Sequence, residues 1–192
     1  MKIAILGWGS LIWKPGDLPI ASAWKTGGPV LPLEFSRVSD NRKLTLVLDP
    51  EVGASCATQF AFSDRSNLAD AIEDLATREQ TVQEHIGFVD LPRHLSSIQA
   101  YPHQVDVDAI VRQWCDDYQI EAAIWTALKP NFQQKLGVPF SSEAAINYLK
   151  QLPPSDRISA IDYFRQTPAE IHTPLRQMVT QLSDELDSAT DA

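Results

Sequence analysis

The chain has 192 residues, of which 44% are hydrophobic and 21% charged, and its formal net charge is −9. Those values belong to a globular chain long enough to bury a core, and they exclude a disordered one. The acidic balance argues against nucleic acid or an anionic membrane surface as a partner, because both reward a basic face; solubility is the simpler account of the charge. Cys56 and Cys115 stand far apart in no metal or redox spacing, and read as reduced thiols of a cytoplasmic protein. The apolar run before Gly7 is too short for a secretory signal. No stretch approaches the roughly 20 apolar residues that span a bilayer.

In chain order, residues 2–6 form a β-rich apolar run that Gly7 and Gly9 end, and Pro15, Gly16 and Pro19 then keep the chain in loop. Residues 44–48 and 57–62 read as strands joined by the turn Asp49-Pro50-Glu51-Val52-Gly53. Asn67 and Asp70 make a capping-box-like helix start. Leu68, Ile72 and Leu75 follow on one helix face, and Glu79 continues that stripe, so a carboxylate takes the next position of an apolar row.

Residues 86–91 read as a strand, and 107–118 as a helix with Val107, Ile110, Val111 and Trp114 on one side. Residues 122–128 read as a buried strand, apolar except for Thr126. Beyond Pro130 the pattern is helical. Ser141 or Ser142 caps a helix through Leu149, and Asp156 caps a short one carrying Ile158 and Ile161. Thr167-Pro168-Ala169-Glu170 reads as a further helix start, followed by a stripe of Ile171, Leu175, Met178, Val179, Leu182 and Leu186. Strands first and helices last predict an α+β domain over residues 1–186, with 187–192 as a flexible tail.

The glycine loop admits three chemistries. A dinucleotide site needs a third glycine where Ile12 stands, then a helix that Pro15 and Pro19 would break. A hydrolase elbow around Ser10 also needs glycine at Ile12, and no histidine is singled out as its base. A loop whose backbone N–H groups hold a carboxylate or an oxyanion remains, beside a plain strand-ending turn.

Gly7-Trp8-Gly9-Ser10-Leu11-Ile12-Trp13 resembles the N-terminal tyrosine-glycine-serine-leucine loop of gamma-glutamylcyclotransferases. Trp13-Lys14-Pro15 brings it closest to the ChaC-like branch. Leu33-Glu34-Phe35-Ser36-Arg37 falls where that family has an aromatic and arginine-bearing strand, and residues 44–48 match its next apolar strand. Leu75-Ala76-Thr77-Arg78-Glu79 is similar to the family's leucine-x-x-arginine-glutamate helix end. Each motif alone is modest; the two in that order are more specific. The match covers roughly the first 90 residues and is looser over 122–128 and the C-terminal helices.

The resemblance implies a small mixed β-barrel or sheet with flanking helices, and a cofactor-free, metal-free enzyme that cyclises a γ-glutamyl group to 5-oxoproline and frees an amine or amino acid. It implies Glu79 as the catalytic acid/base. The loop of Trp8, Gly9, Ser10 and Leu11 would bind substrate, with Arg37 a candidate for a substrate carboxylate. A carboxyl on an apolar helix face suits a group that must take and then return a proton near neutrality. Trp8 replaces the loop's usual tyrosine, residues 39–43 replace the branch's histidine-arginine-glycine-threonine stretch, Gly87-Phe88 comes late, and residues 92–119 exceed the family's hairpin. These departures bear on the substrate, with glutathione the choice they put in question.

The residues themselves leave alternatives open. Glu79 also fits a helix-end carboxylate paired with Arg78, and Arg37 a structural salt bridge. A non-catalytic binding protein for an amino-acid-like ligand, or an amidohydrolase or acyltransferase on the same pocket, would use the same groups. The number of subunits is not encoded in any pattern here.

Overall fold

The structure, a computed structural model, describes residues 1–182. Leu186 and the expected tail over 187–192 lie outside the described residues. Seven strands form one mixed sheet: β1 (Ile3–Gly7), β2 (Lys25–Val38), β3 (Leu44–Leu48), β4 (Ala54–Phe62), β5 (Ile86–Asp90), β6 (Leu95–Ser96) and β7 (Ala122–Thr126), in the order β3-β2-β4-β1-β7-β5-β6. β1 runs parallel to β7 and antiparallel to β4, while β5 is antiparallel to β6 and β7, and β2 to β3. The order ends on β3 and β6, so the sheet is open, and the barrel form of the expectation is corrected. The reason is visible at one edge, where β6 is only two residues long and offers too little backbone to pair onward. The chain gathers into two compact units, one of Met1–Leu31 with Ala57–Leu128, the other of Pro32–Cys56 with residues from Lys129 on; β2 and β4 pass from one into the other.

In the first unit, helix α1 (Ser10–Trp13) follows β1, α2 (Leu68–Arg78) follows β4, and α3 (Val105–Asp117) precedes β7. Asn67 caps α2, its side chain accepting from the Ala69 N–H at 3.0 Å. Leu68, Ala71, Leu75 and Ala76 of α2 pack with Ile3 and Ile5 of β1, Ile86 of β5, and Ala122 and Ile124 of β7; Ile72 is only partly buried beside them. α3 buries Val107, Val111, Trp114 and Cys115, and its Trp114 indole donates to the Gly27 carbonyl at 2.8 Å. Ile110, expected on that face, is 38% exposed, because Cys115 and not Ile110 completes the inward stripe.

The end of α2 has a defined geometry. The Thr81 N–H reaches the Ala76 carbonyl at 3.0 Å and the Gln80 N–H reaches Thr77 at 3.1 Å, the paired bonds of a Schellman motif. Gln80 takes the left-handed conformation that motif needs, with φ 53°.

In the second unit, α4 (Phe132–Leu136), α5 (Ser142–Gln151), α6 (Pro154–Gln166) and α7 (Pro174–Gln181) follow in sequence. Phe35 of β2 stacks on Phe164 of α6 with ring centroids 4.2 Å apart. The Asn131 side chain accepts from the Val38 N–H at 2.7 Å and donates to the Val38 carbonyl at 3.1 Å, pairing β2 as a neighbouring strand would. Ser141 caps α5. α6 begins at Pro154, with Asp156 in its first turn and not at its cap. It buries Arg157, Ala160, Ile161 and Phe164, which turns Ile158 outward at 46% exposure, against expectation.

The helix start expected at Thr167 is also corrected. The Thr167 hydroxyl donates back to the Tyr163 carbonyl at 2.9 Å and finishes α6, and residues 168–171 form a turn. The second Thr-Pro pair, Thr173-Pro174, starts α7, with the Thr173 Oγ1 accepting from the Arg176 N–H at 3.2 Å. The Arg176 guanidinium then holds the Thr167, Pro168 and Ile171 carbonyls, each at 2.6 Å.

What selects the second pair is a carboxylate on β2. Glu34 is 1% exposed. It accepts from the Phe35 N–H at 2.8 Å, and from the Thr173 hydroxyl and the Leu175 N–H at the start of α7. Burial raises its pKa; these donors oppose the rise, and nearby Asp49 adds to it.

Two stability outcomes follow from these geometries. Gln80→Gly relieves a left-handed backbone and should raise the urea-unfolding stability by about 1 kcal/mol; a midpoint at or below wild type refutes that account. Because the folded state holds the Glu34 proton more tightly than the unfolded chain, its contribution to stability declines as pH rises from the ordinary value of 4.5 through the raised one, then stays level. The wild type should therefore gain on Glu34→Gln as pH falls from neutrality through that window. Parallel urea midpoints across the window would remove Glu34 from the account.

Candidate functional site

Gly7 ends β1 where a side chain has no room. A Cβ there would lie 2.6 Å from the Trp24 ring. Trp8 and Leu11 are each 5% exposed, and Leu11 joins the core beneath α2. Their side chains therefore anchor the loop. Gly9 stands at the N-cap of α1, its carbonyl accepting from the Ile12 N–H at 3.0 Å, and the Lys14 N–H closes the turn on the Ser10 carbonyl at 2.8 Å. Pro15 stops the helix there, since the residue before a proline avoids helical backbone. Of the four loop residues, Ser10 is the half-buried one, and it presents its hydroxyl at the surface of the turn.

Glu79 caps the C-terminus of α2, with its N–H on the Leu75 carbonyl at 2.9 Å. The sequence sets this carboxylate in line with an apolar row and also admits a pair with Arg78. The structure shows the pair: the Arg78 guanidinium donates through Nη1 to Glu79 Oε1, with the two side chains 13% and 15% exposed. The same guanidinium donates through Nη2 to the Lys14 carbonyl at 2.6 Å and lies 3.5 Å from Ser10 Oγ. One planar fork thus touches the glycine loop and the helix-end carboxylate together. Its neighbour role at Ser10 also bears on nucleophilic chemistry, because a guanidinium accepts no proton and supplies no base for a serine.

Trp8, Gly9, Ser10, Leu11 and Glu79 all belong to the first unit. Arg37 belongs to the second, on β2 opposite Thr45, where its Nη1 donates to the Lys129 carbonyl at 2.8 Å and burial lowers its pKa. The second unit also carries a polar surface cleft of about 380 Å³, lined by Asp40, Asn41, Arg42, Lys43, Asp156 and Ser159. Two of its lining charges pair with each other, Arg42 with Asp156 at 3.3 Å, and Asp40 meets Lys135 at 3.7 Å.

The reach of Arg78 to the loop was not predicted from sequence. An arginine in the last turn of a helix ordinarily reads as a partner for the helix's own terminal carbonyls, and nothing local marks a contact with Lys14. Both cysteines are free and buried, and burial raises the Cys56 thiol and pushes the Cys115 thiol up to about 12, so neither is an available thiolate. Among the described residues, no three His, Cys, Asp or Glu side chains group to hold a metal ion, and no helix is long and apolar enough to cross a membrane.

No protein-family model, no curated protein and no solved structure matches this chain.

Proposed function

We propose that the chain is a gamma-glutamylcyclotransferase-like enzyme, in which Glu79 serves as acid/base and the loop of residues 8–11 receives the substrate. The observation that carries this is the meeting of two motifs at one guanidinium: Arg78 contacts Glu79 and, 68 residues away in sequence, Ser10.

The chemistry asks little else of the protein. Nucleophile and electrophile are parts of one γ-glutamyl group, so binding has only to fold it into ring-closing geometry. The substrate α-ammonium gives a proton to the Glu79 carboxylate, and the freed amine attacks the γ-carbonyl carbon to form the new C–N bond. The tetrahedral oxyanion takes hydrogen bonds from donors in the loop, the Ser10 hydroxyl or backbone N–H groups of residues 9–11. Glu79 returns the proton to the departing nitrogen as the old C–N bond breaks, and the second proton of the ring nitrogen passes by the same carboxylate to the freed amine, leaving neutral-lactam 5-oxoproline and an ammonium, whether of an amine or an amino acid.

The Arg78–Glu79 ion pair favours one competing reading, a protein that binds an amino-acid-like ligand without turnover, since the carboxylate already has a partner. A panel of γ-glutamyl compounds, glutathione included, separates the two when 5-oxoproline is followed by mass spectrometry. Cyclisation predicts 5-oxoproline, and Glu79→Gln should keep the fold while lowering the rate by at least about 100-fold. Retention of most of the turnover removes Glu79 from the mechanism. Released glutamate in place of 5-oxoproline indicates hydrolysis. Silence across the panel with ligand binding intact indicates the binding protein.

Gly9→Val tests the loop. A branched side chain there intrudes on any group held by the backbone, so the KM or Kd for the best compound of the panel should rise at least about tenfold. Unchanged affinity places the ligand elsewhere.

A further inference from the structure

We propose that Arg78 is the positioning residue of this site, coupling the glycine loop to the Glu79 carboxylate so that acid/base and oxyanion donors are held in one geometry; the inference rests on the cyclotransferase assignment of Glu79. Three acceptors converge on it: Glu79 Oε1 and the Lys14 carbonyl as direct hydrogen bonds, with Ser10 Oγ at the longer 3.5 Å. They come from the helix end and from a loop 64 and 68 residues earlier. A guanidinium suits this task because it is permanently charged and presents five N–H donors in a rigid plane, whereas an ammonium is a point charge on a flexible stem.

Two commoner duties of such an arginine do not account for the arrangement. The first is capping the carbonyls of its own helix. Here Leu75, Ala76 and Thr77 already receive the Glu79, Thr81 and Gln80 N–H groups, and the Arg78 bonds go to Lys14. The second is a surface ion pair. Adjacent residues on a helix do not face each other, so a pair between positions 78 and 79 is not the default of helical spacing. It arises because Glu79 is the cap residue, where the chain turns into the left-handed Gln80. Both side chains are also largely buried, at 13% and 15% exposure, unlike an ordinary surface pair.

The arrangement has a kinetic consequence. A misplaced acid/base lowers the rate of the chemical step more than it weakens binding, and an error of about 1 Å costs on the order of 100-fold. Arg78→Ala should therefore lower kcat on the best γ-glutamyl compound by about 100-fold with KM changed less than about fivefold. Arg78→Lys keeps the charge without the fork and should fall between wild type and Arg78→Ala. Added guanidinium ion at millimolar concentration should restore part of the rate to Arg78→Ala and none to Glu79→Gln, a rescue that a merely structural arginine would not show.

Wild-type kcat in folded Arg78→Ala, or in folded Arg78→Lys should the alanine variant not fold, overturns the proposal. So does a loss that guanidinium fails to rescue. Should the wild type itself be silent on every γ-glutamyl compound, the cyclotransferase assignment falls, and amide hydrogen exchange still reads the coupling. Exchange over residues 9–14 should then quicken at least about tenfold in Arg78→Lys, and unchanged exchange overturns the coupling as well.

Discussion

The apolar face of α2 is held against the sheet by Leu68, Ala71, Leu75 and Ala76, which meet Ile3, Ile5, Ile86 and Ile124. Burying a leucine or isoleucine fully is worth about 1.5–3 kcal/mol, more than a typical exposed polar bond contributes. The helix therefore has one seat on β1, β5 and β7, and its C-terminus has one place. Leu11 of the glycine loop is buried in the same cluster. Loop and helix end thus share one core, and Arg78 links two segments that this packing makes adjacent.

Different contacts fix the backbone and the side chains of the site. The backbone of the loop is set by β1 on one side and Pro15 on the other, and the helix end by its Schellman bonds. The side chains of Ser10, Arg78 and Glu79 are set by their contacts with one another. A carboxylate already paired with a guanidinium is oriented before a substrate arrives, and an incoming ammonium is a second cation for it to meet. The pair with Arg78 fits the recognition of an ammonium more directly than the removal of its proton, because an opposite charge favours the ionised carboxylate, and product analysis is what separates the two functions.

The second unit is organised around buried polar groups. Glu34 stands at the start of α7 because three donors converge there, and Asn131 completes the hydrogen bonding of β2 with a side-chain amide. A buried polar group is tolerated when its partners are present and is costly when one is missing, so these contacts specify position more than they add stability. The two Thr-Pro pairs illustrate the point. Both read locally as helix starts, and only Thr173 has Glu34 to meet it, while the Thr167 hydroxyl turns back to Tyr163.

Sequence by itself determined the elements whose signals are local. Residues 44–48 alternate and end in a turn, Asn67 and the apolar row from Leu68 make α2, and Gly7 and Pro15 bound the loop; all of these stand where the pattern puts them. The same row, carried one step further, points to Glu79, which stands at the C-cap of α2. Tertiary structure decided what depends on partners distant in the chain. β2 runs through Gly27, Gly28, Pro29 and Pro32, residue types that strand interiors ordinarily avoid and that no local pattern marks as a strand. The open sheet, the choice of Thr173 over Thr167, and the outward turn of Ile110 and Ile158 likewise follow from which surfaces were available to cover. Above all, the reach of Arg78 beyond Glu79 to Lys14 and Ser10 was decided in three dimensions. Helical periodicity fixes the direction in which a side chain leaves the backbone, but the loop carbonyl and hydroxyl that the Arg78 fork then meets belong to residues that only folding brings near.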